Sequence, residues 1–456
     1  MVPSAAIITT MAMFTVAIPQ IRADYALPED VAAWLIIAYT LPFMALMPLY
    51  GRFGDLIGRR GVLVAGLVLF AAGGGMLLVP GPLSYVLIAR AIQGAGAAGV
   101  NPLAMSLIIE HSTPKKRGTA LGTWNSAGPA SGMIGPLIAG PLIDSIGWRS
   151  VLVPSVAITV VAAILVSRLI PRQPPSAPGT RRRALATFDW PGVLLFNLAI
   201  ALLVFTTSSR PITGYEPLTD WRLAAGAIAC GAVFVGWQRR ARRPFVNLNV
   251  FRNRNFSFAS VCVSIRMMLM GGVTLLVPLF LTDLFGFPAV ATGAVLFLHA
   301  AGLLLTMRIG GKVIDRYRSR LQVIVGLLIE SLAMFVLVLM PDEPILWVAL
   351  VALTVHGMGA GLCLAALHLF ALGTVSRERS ATAAGLYSMI RFSGSLFGAA
   401  IGGAVLYMGI ASHGPTVAGY TPAFVLYLAI SLAGAGAALG LTPRLPSTPG
   451  AGRAGS

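Results

Sequence analysis

Residues 49–63 read LYGRFGDLIGRRGVL, and this stretch decides the fold because it places a cluster of charge between two long apolar runs. Its arginines are Arg52, Arg59 and Arg60, its aspartate is Asp55, and its glycines are Gly51, Gly54, Gly58 and Gly61. Residues 311–320, GKVIDRYRSR, repeat the arrangement with Asp315 four positions after a glycine, followed by Arg316. Matching elements in two halves of a chain are typical of membrane proteins built from repeats.

Composition supports a membrane protein. Hydrophobic residues make up 57% and charged residues 11% of the 456 residues, against roughly 45–50% and 25% in soluble domains. The net charge of +18 does not indicate nucleic-acid binding, because the basic residues are spread in small groups between apolar runs. Cys230, Cys262 and Cys363 lie within apolar runs and are interpreted as small core residues.

A membrane helix needs about 20 apolar residues, and a search with this length finds about fourteen candidate spans. The apolar start lacks a basic n-region and a cleavage site, so it is interpreted as the first span. With the start inside, only Arg22, Arg149, Arg210 and Arg222 fall on the outer side. The positive-inside rule then predicts a multi-pass membrane protein with both termini in the cytoplasm. Thirty arginines against three lysines indicate a GC-rich bacterial genome, and hence a bacterial inner or plasma membrane.

Both charged stretches fall in predicted cytoplasmic loops, so they help to set the topology. Topology alone, however, requires no fixed order of glycine, aspartate and arginine. Glycine allows a tight turn, and a carboxylate near helix N-termini and arginines can form a latch. A gating latch is therefore a second interpretation, compatible with the first, and its candidate residues are Gly51, Asp55, Gly58, Arg59, Arg60, Asp315 and Arg316.

Several motifs resemble those of the major facilitator superfamily. GRFGDLIGRR (51–60) resembles the signature loop between its second and third helices, and residues 311–320 resemble the weaker second copy. RAIQGAGAAG (90–99) resembles its fourth-helix motif, and GTWNSAGPASGMIGPLIAG (122–140) resembles the fifth-helix motif associated with antiporters. FDWPG (188–192) and PFVNLNVFRNRNF (244–256) are similar to segments that flank the extra helix pair of fourteen-span drug:proton antiporters.

This resemblance implies an all-α integral membrane fold with two six-helix bundles, residues 1–170 and 255–441. Linkers and an inserted helix pair would occupy residues 171–254, and residues 442–456 would form a cytoplasmic tail. The implied function is export of small amphipathic compounds, such as drugs and antibiotics, by proton antiport and alternating access. The implied partners are a small-molecule substrate, protons and membrane lipids, with no nucleic acid and no cofactor, and the implied state is a monomer.

Enzyme motifs are missing from the sequence: it contains no G-x-x-x-x-G-K-[ST], H-E-x-x-H or G-x-S-x-G. We therefore do not expect an enzyme. Three alternatives to drug export stay open: an exporter of one endogenous metabolite or lipid, an importer, and a non-transporting membrane sensor.

Arg90 lies about seven residues into the fourth span, or ~10 Å from its outer end at ~1.5 Å per residue. An arginine in hydrocarbon costs about 2.5–3.5 kcal/mol, which predicts that it points into a wet cavity. The alternative is a side chain that reaches the outer interface. The resemblance implies a role in proton coupling for Arg90. Other candidates for the substrate pathway are Trp34, Tyr39, Gln93, Asn101, Trp124 and Asn125.

The fifth span is rich in small residues and proline: Gly128, Gly132, Gly135, Pro136 and Gly140. Small residues let helices approach closely, and proline loosens a turn. The helix is therefore suited to slide or bend against a partner, although static close packing is the alternative. The resemblance implies that it closes the outward path.

Ionisable residues predicted near mid-membrane are functional candidates by default. They are Arg266, His299, Glu330, His356 and Arg391. Glu330 and His299 are candidates for proton coupling, since histidine exchanges protons near neutral pH; a structural role in helix packing is the alternative for each. The resemblance predicts an aspartate in the first helix at the place of Thr10, and threonine does not titrate.

Overall fold

A computed structural model describes residues 2–111, 117–171, 179, 186–242, 244, 246–313, 319–373 and 380–442. These residues form helices and no β-strand. The long helices are α1 (Val2–Asp24), α2 (Trp34–Ile57), α3 (Arg59–Met76), α4 (in two segments, Leu83–Ala97 and Val100–His111), α5 (Arg117–Ile146), α6 (Leu152–Leu169), α7 (Trp190–Ser208), α8 (Trp221–Arg240), α9 (Arg254–Phe285), α10 (Ala289–Val313), α11 (Ser319–Val338), α12 (Leu346–Leu372), α13 (Ser380–His413) and α14 (Val417–Ala438). A short helix, Glu29–Ala32, precedes α2, and a 3₁₀ turn, Trp148–Val151, precedes α6.

Within the described residues, twelve of these helices are long and apolar enough to cross a membrane. The other two are α5, with 30 residues, and α8, with 20 residues. Both have sufficient length, but glycine and proline in α5 and arginine at both ends of α8 make them less apolar. The prediction of an all-α integral membrane fold is confirmed.

The opening stretch of the sequence forms the turn between α2 and α3. Gly58 adopts a φ of +104°, so α2 ends at Ile57 and α3 begins at Arg59 with a single residue between them. A side chain at such a φ is strained, whereas glycine is not. This turn sets α2 and α3 side by side in opposite directions.

Helix contacts divide the long helices into two groups and a pair. In the first group α1 packs on α5 and α6, and α4 packs on α2 and α3. In the second group α9 packs on α13 and α14, and α12 packs on α10 and α11. The groups meet where α5 contacts α10 and where α2 contacts α13. Helices α7 and α8 pack on each other, and α7 also contacts α2 and α13.

Glycines bring α9 and α13 into backbone contact. A Cβ added at Gly394 or Gly398 of α13 would overlap the carbonyl oxygens of Ser264 and Met268 on α9. Without a hydrophobic driving force between helices in lipid, close packing at small residues supplies much of their association. These glycines therefore hold the second group together.

We predict that Gly398→Ala destabilises the protein by about 1–3 kcal/mol, because the new methyl group must push α13 away from α9. The matched control is Gly385→Ala on the same helix, since a Cβ there meets nothing within 4 Å. Thermal unfolding of the two variants purified in detergent measures the difference. Equal unfolding temperatures would contradict the packing argument.

Candidate functional site

Arg90 is completely buried, with 0% of its surface exposed, in the first helix group. Its guanidinium donates hydrogen bonds to the Leu35 carbonyl (3.0 Å), Gln93 Oε1 (2.8 Å) and Met11 Sδ (3.5 Å). It also lies over two aromatic rings, 3.9 Å from the ring centroid of Phe14 and 4.7 Å from that of Tyr39. Among the described residues it forms no ion pair with a carboxylate. Arg90 therefore joins α1, α2 and α4 inside the bundle. None of its surface is accessible to water, so it reaches neither the outer interface nor the wet cavity predicted from its depth.

The remaining pathway candidates do not gather on one surface. Tyr39 stacks on Phe43 (5.8 Å between ring centroids) beside Arg90. The Trp34 indole donates to the Ser208 carbonyl at 2.6 Å, so this side chain faces α7. The structure places the others as follows: Gln93 is buried, Asn101 is half-buried, Trp124 donates to Ser4 Oγ at 2.9 Å, and the side chain of Asn125 lies outside the described residues.

The charged turn after α2 ties together helices of the first group. Arg59 donates to Asp55 Oδ1 at 3.2 Å and to Glu110 Oε2 at 2.8 Å on the second segment of α4. Arg60 donates to the Ser167 carbonyl on α6. Glu110 was not among the predicted residues, and its pairing depends on the fold of α4. Asp315 and Arg316 lie outside the described residues.

Helix α5 is the packing partner of both α1 and α10. Gly128 and Gly132 face the Ile8 side chain of α1, and a Cβ at Gly135 would lie 2.8 Å from Ala12 Cβ. On the other side, a Cβ at Gly140 would lie 2.6 Å from Val290 Cα, and Gly293 of α10 packs against the Pro136 carbonyl. The small residues of α5 therefore form a major contact between the helix groups.

Charged residues close the two groups against each other at the end that carries the α1–α2 and α9–α10 connections. Arg22 of the first group pairs with Glu29 (3.0 Å) and with Asp283 of the second group (2.8 Å). The Tyr420 hydroxyl donates to Asp283 at 2.7 Å. Sequence reasoning missed this network, because each member reads as an isolated charge or ring near a helix end.

A carboxylate at the end of α5 makes a second contact between the groups. Asp144 accepts hydrogen bonds from the backbone N–H groups of Ala289 and Val290, both at 2.9 Å. A carboxylate is stabilised at the N-terminus of a helix by the free N–H groups and by the helix dipole. Asp144 therefore fixes the start of α10 to the end of α5.

The connection between α7 and α8 reaches the same end of the molecule. Arg210, after α7, donates to both oxygens of Asp30 at 2.9 and 3.1 Å, and its guanidinium lies 4.1 Å from the ring centroid of Tyr407 on α13. The hydrogen bonds to Asp30 raise the pKa of Arg210 above its ordinary value. The connection between α7 and α8 therefore contacts both helix groups.

Two histidines meet near the middle of the second group. His299 Nε2 lies 3.1 Å from His356 Nδ1, and the rings stack with an interplanar angle of 23°. They approach because Gly357 of α12 packs against the His299 carbonyl and Gly361 packs against the Leu303 carbonyl. His356 Nε2 is buried without a hydrogen-bond partner. Sequence reasoning named both histidines but did not predict this pair.

Glu330 of α11 and Arg266 of α9 contact α12 at adjacent residues. Arg266 Nε donates to the Ala360 carbonyl at 2.7 Å, and both side chains are buried. Glu330 packs against Gly359, and neither of its carboxyl oxygens has a hydrogen-bond partner. Among the described residues, no ion pair within 4 Å joins the two side chains.

Metal binding finds no support in the residues that the structure describes. They contain no group of three or more histidine, cysteine, aspartate or glutamate side chains that could hold a metal ion.

Two helix groups with buried ionisable side chains, joined through α5–α10 and α2–α13, define a helical membrane transporter. The family model described as Major Facilitator Superfamily matches residues 4–399, and the chain belongs to this superfamily. Its members are multi-pass membrane proteins that transport small molecules, and they are not enzymes. The family predicted from the sequence motifs is confirmed.

Two curated relatives show the kind of member that the chain resembles. It is 28% identical over 393 residues to Multidrug resistance protein Stp of Mycobacterium tuberculosis (strain CDC 1551 / Oshkosh), which covers 86% of this chain and 72% of the relative. It is 25% identical over 394 residues to Multidrug transporter protein MdtP of Bacillus subtilis (strain 168), with coverage of 86% and 71%.

Among solved structures, the peptide transporter POT in complex with sulfate superposes with a TM-score of 0.69 at 14% identity, covering 95% of this chain and 92% of that chain. The human organic anion transporter MFSD10 (TETRAN) superposes with a TM-score of 0.60 at 15% identity, covering 96% and 98%. At these identities the likeness shows the fold.

We predict that Asp283→Ala loosens the contact between the groups, since it leaves Arg22 with one carboxylate and Tyr420 without its acceptor. A hydrogen bond to a charged group contributes about 1.5–3 kcal/mol, so amide exchange in residues 20–33 and 280–292 should accelerate by about tenfold or more. Hydrogen-exchange mass spectrometry of the purified protein measures it. The control is Asp342→Ala, an exposed carboxylate in the α11–α12 connection; equal exchange in both variants would contradict the prediction.

Proposed function

We propose that this protein exports small amphipathic compounds, including drugs, in exchange for protons. Its two helix groups would alternate between inward-open and outward-open states as a monomer in a bacterial plasma membrane, with both termini in the cytoplasm and membrane lipids around it. The multidrug names of the relatives favour this cargo. The main observation behind this mechanism is the ion pair between Arg22 and Asp283. It joins the two groups at one end of the molecule, and such a contact can break and re-form.

The two ends of the molecule suggest different roles for their charges. At one end, Arg22 of the first group pairs with Asp283 of the second group, so this ion pair acts as a gate. At the other end, Arg59 joins Asp55 and Glu110 within the first group, so this network keeps the group rigid as it moves. The gating partner at that end would be the second charged stretch, residues 311–320.

Close packing of α5 supports rocking about a fixed contact. Its glycines place backbone against backbone at α10, and such a surface has no long side chains that must disengage when the helices rotate. Transporters built from repeats move largely by rigid-body rocking of one half against the other. We therefore assign α5 the role of hinge and outer seal.

The proton would be carried in the second group. Thr10 cannot titrate, and its hydroxyl donates to the Ala6 carbonyl at 2.9 Å. Arginine stays protonated in proteins, so Arg90 would contribute to coupling by keeping α1, α2 and α4 together. His299 and His356 share one hydrogen bond and retain an unpartnered nitrogen, His356 Nε2, that can accept a proton.

Protonation would change the histidine pair in two distinct steps. When His356 Nδ1 donates to His299, a first proton on His356 Nε2 preserves the hydrogen bond and makes it charge-assisted. A second proton would place two donors face to face and separate α10 from α12. Glu330 is the second candidate carrier, because its carboxyl group is buried without hydrogen-bond partners. It packs against Gly359 of α12, three residues after His356.

We predict that His356→Gln abolishes substrate-driven proton movement, because glutamine keeps hydrogen-bonding capacity and cannot titrate. Inverted membrane vesicles energised to be acid inside are given a lipophilic cation, a neutral antibiotic and an amphipathic anion, and the internal pH is followed. Wild type should lose the gradient when a substrate is added, whereas the variant should keep it.

The control for this experiment is His413→Gln, an exposed histidine at the end of α13. His299→Gln and Glu330→Gln identify which carrier is required. A substrate-triggered leak that persists in all three mid-membrane variants would exclude these residues as carriers, and a wild type without any leak would exclude proton antiport of these compounds.

A further inference from the structure

The charges at mid-depth of the bundle are predominantly positive. The sequence has 15 acidic residues, and in the described helices only Glu330 lies far from a helix end. Arg90, Arg266 and Arg391 lie in helix interiors, and none of them forms an ion pair within 4 Å among the described residues. Among the described helices, one interior carboxyl group, that of Glu330, therefore faces three interior arginines.

Arg391 differs from Arg90 in being only partly satisfied. It is half-buried on α13, and its Nε is buried without a hydrogen-bond partner. Its guanidinium lies 4.5 Å from the ring centroid of Phe392, which meets Phe43 of the first group edge-on at 4.8 Å. Arg391 therefore lies beside the contact between the two helix groups, where a substrate would pass.

A further donor without an acceptor lies next to Arg391. Tyr387 is one turn earlier on the same face of α13, only 2% exposed, and its hydroxyl has no hydrogen-bond partner. His368 of α12 packs edge-on against Tyr387, with 5.3 Å between ring centroids.

Buried donors without acceptors are costly, so native structures rarely leave several in one place. An anionic group would supply the missing acceptors, and the guanidinium fork matches a carboxylate or sulfonate through two parallel hydrogen bonds. The rings of Phe392 and Phe43 provide an apolar wall for the body of the same molecule. A cation at this place would instead meet the guanidinium of Arg391.

We infer that Arg391 and Tyr387 form a binding site for the anionic group of an organic anion, so that amphipathic carboxylates or sulfonates are the substrates of this transporter. The statement that such anions are transported rests on the proposed export function, whereas the site itself can be tested by binding alone. Its ligand class differs from the lipophilic cations that a multidrug name alone would suggest.

The test is equilibrium binding to purified protein in micelles, followed by fluorescence polarisation against protein-free micelles. The probes are fluorescein, an anion, and a cationic rhodamine ester with the same xanthene scaffold. Wild type should bind fluorescein at least tenfold more tightly than the ester. Arg391→Gln should weaken fluorescein binding by about tenfold or more, a change of about 1.4 kcal/mol, and should not weaken binding of the ester.

Two conservative variants separate binding from folding. Arg391→Lys keeps the charge without the fork and should retain part of the affinity, while Tyr387→Phe removes only the hydroxyl and should cause a smaller loss. Arg222→Gln changes an exposed arginine at the start of α8 and should leave both affinities unchanged. If Arg391→Gln does not fold, the lysine and phenylalanine variants still decide the question.

The inference is overturned if wild type binds the ester as tightly as fluorescein, or if folded Arg391 and Tyr387 variants bind fluorescein normally. Efflux of each dye from vesicles is measured separately. Binding of fluorescein that depends on Arg391 without efflux would support the site and refute export. Efflux of the ester without any preference for fluorescein in binding would support export and refute the anion site.

Discussion

Backbone contact between helices, made possible by glycine, is the constraint on which the rest of the structure depends. In lipid, apolar side chains gain little by leaving one apolar surface for another, so close approach has to supply the association. Gly394 and Gly398 supply it between α9 and α13, and Gly357 and Gly361 supply it between α12 and α10. The same approach brings polar side chains of different helices together at a depth where water is scarce.

The two halves use buried arginine differently. Arg90 receives oxygen, sulfur and aromatic partners from its own group, so its charge is compensated whether or not a ligand is present. Arg391 lies at the contact between the groups with an unpartnered Nε, beside the unpartnered hydroxyl of Tyr387. Since burial of an unsatisfied donor is costly, the first arrangement indicates a structural tie and the second a place for something that is exchanged.

The sequence predicted the helical membrane fold and the family because both depend on local signals. Apolar runs of sufficient length, glycines at a turn and motifs in fixed order are visible without partners, and Gly58 forms the turn that its motif suggested. The site depends instead on which face of each helix meets which neighbour. His299 and His356 are 57 residues apart, and Arg22 and Asp283 are 261 residues apart. Hydropathy predicts the depth of a side chain but not which neighbouring helix it faces, so the hydrogen bond from Trp34 to Ser208 of α7 could not be predicted.

The charge of the substrate changes what coupling requires. A protonated histidine pair would attract an anion bound in the same half of the protein. The proton and the anion therefore cannot displace each other by charge repulsion. Their exchange would need a conformational change of α12, on which His356 lies. Outward movement of an anion and inward movement of a proton both carry positive charge inward, so a membrane potential that is negative inside drives each, by about 2.3 kcal/mol per charge per 100 mV. An exporter of anions therefore gains its energy from the potential as well as from the proton gradient. A carboxylate in the first helix would add negative charge to a pathway that has to accept an anion, and Thr10 at that place is consistent with such a cargo.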